Sequence, residues 1–154
     1  MRKLLSMLAV VLAIAALSTG VALGGPKGTD RPVKGSGSGT TTFDFVNGTF
    51  VTDGTAQFTH LGRTTFHLDG VLTGPTTSTF TGTVVAANGD TLTTSGTGTL
   101  TSPNTFTNLE TFTGGTGRFA GASGTSTDTG TAVFDPSNPT RVSLTFTTTG
   151  TISY

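Results

Sequence analysis

The sequence predicts an all-β fold, a single closed antiparallel β-barrel of about eight strands. Three observations carry the prediction. Apolar residues alternate with Thr and Ser at period two, as at Phe66, Leu68 and Leu72 or Val142, Leu144 and Phe146. Gly and Thr interrupt every window long enough for a helix. Thr makes up about a quarter of the chain, and its β-branched side chain favours strands while its hydroxyl keeps an outer face wet.

The elements follow in order. Arg2 and Lys3 precede an apolar run from Leu4 to Leu17, broken only by Ser6, and Gly20-Val21-Ala22 supplies small residues for cleavage. Residues 1–22 therefore read as a signal peptide, and the protein as secreted or extracytoplasmic. The run is shorter than the ~20 residues of a spanning helix. Residues 23–39 read as a flexible Gly/Ser/Pro linker, with Gly35-Ser36-Gly37-Ser38-Gly39 at its end and Pro32 expected to break any ladder. The barrel domain is expected over 40–154.

Strands are expected near 40–46, 49–60, 63–72, 78–86, 90–100, 105–113, 123–134 and 140–153. Asn47-Gly48 and Asn88-Gly89 suit two-residue primed turns. Gly74-Pro75, Ser102-Pro103-Asn104 and the run from Asp135 to Pro139 suit longer loops. Gly82, Gly96, Gly98, Gly130 and Gly150 are expected at bends where strands curl around the barrel.

Charge and composition remove several function classes. The eight Lys and Arg balance the eight Asp and Glu, and Lys27, Arg31 and Lys34 cluster before the barrel. No basic patch remains for nucleic acid. With no Cys there is no disulfide, thiol nucleophile or Cys-metal site. No Gly-x-Ser-x-Gly nucleophile elbow occurs in the sequence, and the Gly/Ser run of the linker could not hold a strained nucleophile. Thr-x-Thr pairs recur without the fixed repeat that an ice-ordering solenoid needs.

The Gly-rich stretch from Gly114 to Thr125 formally contains Gly-x-Gly-x-x-Ala. A dinucleotide site would need it to open a helix, which Gly121-Ala122-Ser123-Gly124 cannot sustain. It reads instead as a structural turn. Gly114, Gly115, Gly117 and Gly121 take special backbone angles, Phe119 plugs one barrel end, and Arg118 bonds nearby carbonyls or a carboxylate.

This stretch resembles the Gly-Gly-Thr-Gly-x-Phe turn of the allene oxide cyclase/dirigent β-barrel superfamily. Thr59-His60-Leu61-Gly62-Arg63 and Ala86-Ala87-Asn88-Gly89-Asp90 resemble recurring pieces of its bacterial secreted relatives. The resemblance implies a small antiparallel barrel, a possible homotrimer, and either cyclisation of an unstable epoxide or steering of radical coupling. The substrate-contacting residues of the plant enzymes do not map here by motif.

Candidate ligand-binding residues are the polar side chains on inward parity. Glu110 and Asn108 share a face with Phe106 and Phe112, Asp128 with Ala132 and Phe134, and His60 with Phe58. Two readings stay open. A carboxyl group among aromatics has a raised pKa and can act as a general acid, and two carboxylates with a His can hold a metal. Alternatively, Glu110 pairs with Arg118 or Arg63 at the barrel mouth, and Asp128 lies beyond a register-resetting bulge. The expectation is a small apolar ligand or a structural role, with no cofactor, no metal and no catalytic residue; a lumenal cyclase or isomerase is the alternative.

Overall fold

The structure is a computed structural model that describes residues 28–154. The expected signal peptide and the linker up to residue 27 lie outside the described residues. Eight strands form a closed barrel: β1 (Arg31–Asp44), β2 (Thr49–Phe58), β3 (Gly62–Leu72), β4 (Thr77–Val85), β5 (Thr91–Ser102), β6 (Thr105–Gly115), β7 (Ser123–Asp135) and β8 (Asn138–Ser153). Each pairs antiparallel with its sequence neighbours, and β8 closes on β1 through Arg31–Ile152 to Thr42–Arg141. The predicted fold class is therefore present. Closure leaves no exposed edge, which matters for a Thr/Gly-rich sheet. Among the described residues no helix is long and apolar enough to cross a membrane.

The linker reading needs correction. From Arg31 to Gly39 the chain is the first half of β1, laddered to β2 and β8. Its Gly-Ser alternation is a strand pattern, with glycines turned to the lumen and serines to solvent. Gly37 faces the Phe146 ring, whose tip would lie 2.6 Å from any added Cβ. Pro32 is tolerated because it lies beyond the last β1–β2 pair, Gly35–Phe58, where only β8 flanks it. Composition alone reads such a segment as flexible; its partners order it.

The same logic explains the other inward glycines expected at bends. Gly82, Gly96 and Gly130 stand opposite bulky side chains on neighbouring strands, with Gly96 opposite Phe80 and Gly130 opposite Phe106. Added Cβ atoms there would lie 2.6 Å and 2.7 Å from the ring tips. Each ring lies along the wall over a missing side chain, so many Phe residues fit without filling the centre.

The turns differ from expectation. The Asn47-Gly48 connection runs Phe45–Gly48 and the Asn88-Gly89 one runs Ala86–Asp90; only the glycines take positive φ, 66° and 88°, so neither is a primed two-residue turn. Conversely, Pro103-Asn104 and Pro136-Ser137 are tight two-residue links between the Ser102–Thr105 and Asp135–Asn138 pairs. Asp135 accepts hydrogen bonds from the Ser137 backbone N–H (2.8 Å) and hydroxyl (2.6 Å), a side-chain mimic of a turn.

The core is concentrated where the chain termini of the barrel meet the β2–β3, β4–β5 and β6–β7 links. Val33, Leu61, Leu92, Phe112, Phe119 and Ile152 pack there. Phe119, in a 3-10 turn (Gly117–Phe119), is fully buried and meets Tyr154 edge-on at 5.0 Å. Asp90 fastens the turn, accepting the Arg118 backbone N–H at 3.1 Å with the Arg118 Nε 3.9 Å away. Gly114, Gly117 and Gly121 have φ of 120°, 57° and 79°. The plug and its carboxylate partner are thus as the sequence predicts; Gly115 needs no positive φ, but the β5 backbone at Thr91 leaves no room for a side chain there.

Candidate functional site

The barrel encloses a cavity of about 300 Å³. Its wall is mostly apolar, with Phe43, Phe50, Phe66, Phe80, Leu144 and Phe146 among its lining residues. Opposite the plug, Phe43 stacks on Phe45 at 5.2 Å and tilts against Phe50 at 5.6 Å, forming an aromatic mouth.

One polar cluster interrupts this wall at mid-depth, on β6, β7 and β8. Along β6 it lies between Phe106 on the mouth side and Phe112 on the plug side. Cross-strand register brings Asn108 opposite Asp128, Glu110 opposite Ser126, and Asp128 opposite Thr148. Thr148 Oγ1 donates to Asp128 Oδ1 at 2.5 Å. The Glu110 carboxyl lies diagonally across from the Asp128 side chain on the lumen wall. Glycines at 96 and 98 on β5 stand beside Glu110 and Asn108 and leave them room. Burial lifts the Glu110 carboxyl to about 8, and the neighbouring Asp128 charge and hydrogen bond add to the lift. Asp128 is also raised by burial, while hydrogen bonds from Thr148 and Glu110 pull the other way. Burial thus holds both carboxyls above the ordinary carboxylate range.

Of the four candidates, Asn108, Glu110 and Asp128 come together on the lumen wall. His60 does not: it sits exposed in the β2–β3 turn with φ 69°. Parity failed there because β2 ends at Phe58 and the chain leaves the sheet. The proposed Arg partners of Glu110 are also corrected, since Arg63 and Arg118 are exposed on the outside and Arg118 serves Asp90. No bulge resets Asp128, because the β6–β7 ladder runs unshifted from Thr105–Thr131 to Phe112–Gly124.

Sequence reasoning missed Ser126 and Thr148, both buried, and the buried Thr41–Thr52 hydroxyl pair at 2.8 Å. Parity carried the signal for Thr148, which continues the inward series Val142, Leu144, Phe146 toward Ile152. It also missed His67 on the outer face, 2.7 Å from Asp53 and 3.3 Å from Asp69. Among the described residues no group of metal-ligating side chains is placed to hold an ion. Ser126 has no imidazole beside it, since both His60 and His67 are exposed. Chemically, the cluster can give a proton from a carboxyl, donate hydrogen bonds from the Asn108 amide and Ser126 hydroxyl, and accept several, inside an apolar chamber.

No protein-family model, curated protein or solved structure matches this chain.

Proposed function

We propose that the protein holds a small apolar ligand in its barrel lumen, outside the cytoplasm, without transforming it. The observation behind this is the apolar cavity of about 300 Å³, open at an aromatic mouth and plugged at the other end. That volume lies at the small end of the ~300–1,000 Å³ usual for ligand pockets. The leader-like residues 1–22 support the compartment, and the Gly114–Thr125 turn supports kinship with the allene oxide cyclase/dirigent barrels. Native mass spectrometry of the purified protein tests the reading through a retained apolar molecule, and displacement of an environment-sensitive apolar dye tests it in solution. Leu144→Trp, which fills the lumen, should abolish dye binding in a folded protein. Equal dye binding in that variant would refute the lumen as the site.

One observation favours a cyclase or isomerase as the second reading: the Glu110 carboxyl lines an apolar chamber, where burial lifts its pKa to about 8. Turnover of an epoxide fatty acid that disappears in Glu110→Gln would reverse the ranking. The same kinship implies a trimer, for which exposed outward Val71, Leu109 and Val133 offer apolar contact surface. Sedimentation as a monomer at every concentration would remove it.

A further inference from the structure

We propose that the lumen selects an apolar molecule ending in an amine, seated with its ammonium on Glu110 and Asp128 and its tail toward the aromatic mouth. The proposal rests on the lumen being the binding site. It is carried by the distribution of charge around the cavity. Among the described residues, Glu110 and Asp128 are the ionisable side chains that line it. Every described Lys, Arg and His is exposed on the outside. The barrel thus buries two acidic groups and supplies no cation to meet them.

A buried carboxylate without a counter-charge is costly, and a proton kept on the pair is one way to relieve that cost. A ligand that brings its own positive charge relieves it better, because attraction in the apolar chamber is stronger than in water. The hydrogen-bond inventory points the same way. An ammonium offers three donors and no acceptor, and ionised carboxylates only accept. Asp128 already takes one bond from Thr148, which fixes its orientation, and Asn108 and Ser126 on the neighbouring rungs can each accept as well as donate. A ligand carboxylate would instead face two acids with no Lys or Arg within the wall. The arrangement therefore discriminates against fatty acids. A neutral alcohol gains the hydrogen bonds but not the charge.

The test is calorimetric titration of the full chain with three probes of one tail length: decylamine, decanol and decanoate. Decylamine should bind about tenfold or more tighter than decanol, and decanoate most weakly. In Asp128→Asn and in Glu110→Gln, measured separately so that one misfolded variant does not decide the matter, decylamine should lose most of that advantage. Decanol should change little. In the double variant decanoate should rise toward decanol. Equal affinity for amine and alcohol in the natural protein would overturn the amine assignment while leaving the lumen as a binding site. An amine preference unchanged by both variants would overturn it as well. Failure of all three probes would overturn the lumen reading itself.

Discussion

The two ends of the barrel are built from the same ingredients, short links carrying a Phe, and do opposite things. At one end Phe119 is 0% exposed, beneath a turn pinned by Asp90 and three positive-φ glycines. At the other, Phe45 is 56% exposed and Val46 93%, although Asp44 fastens that loop just as firmly through the Val46 and Asn47 backbone N–H groups and the Asn47 amide. Both loops are ordered by a carboxylate; only one folds its ring inward. The difference lies in what the ring meets. Phe119 finds Tyr154 and the closing core, whereas Phe45 finds only Phe43 at the cavity rim. One end provides stability and the other provides access.

The sharpest way to break this comparison is to truncate both rings. Phe119→Ala should cost about 3–5 kcal/mol in chemical denaturation, because a buried ring leaves a cavity that a closed barrel cannot collapse. Phe45→Ala should stay within ~0.5 kcal/mol and weaken apolar-dye binding instead. Similar stability losses at both ends would mean that the mouth is as closed as the plug. Gly117→Ala should be next, at roughly 1–2 kcal/mol or more, since an L side chain must adopt positive φ there and push on Asp90. The mouth glycine Gly48 also has positive φ but open space around it, so Gly48→Ala should cost less.

The lumen adds a pH signature. Glu110 is raised to about 8, so the native state keeps a proton that the unfolded chain gives up nearer 4.5. Stability is therefore highest at low pH within that window and is lost as pH rises toward and through about 8. Glu110→Gln should flatten the slope and raise the melting temperature at the alkaline end. A melting temperature independent of pH across this range in the natural protein would show that Glu110 is solvated.

The smallest effect belongs to the outer face. The His67 pKa is raised by the Asp53 hydrogen bond and by both flanking carboxylates. Its contribution is present below the ordinary His pKa and lost as pH rises through the elevated one. The side chains are exposed, so His67→Gln should shift melting only slightly and only on the acidic side. A large shift would place these residues in an interface.

Much of this was legible in the sequence because a strand declares its faces. Period two placed Asn108, Glu110 and Asp128 on the lumen side, and the Gly-rich turn declared Phe119 as a plug. What failed had partners far along the chain. The Gly35–Gly39 segment reads as flexible until Phe58 and Phe146 are set against it; Phe58 comes from the far end of the β1–β2 hairpin, and Phe146 only when β8 closes on β1. The Glu110–Asp128 contact depends on register between β6 and β7, which alternation fixes to a face but not to a rung. His60 was misplaced because parity cannot tell where a strand ends. The cavity itself depends on rings lying over glycines of adjacent strands, a pairing invisible along one strand.

Ligand holding in the lumen requires an apolar molecule to enter the mouth and stop at the polar cluster. A crystal structure of the protein with ω-bromodecanol, read through the anomalous signal of bromine, measures this directly. The alcohol oxygen is expected at Glu110 and Asp128 and the bromine near Phe43 and Phe45. Bromine found only on the outer Thr-rich face, or a lumen filled by its own side chains, would contradict it.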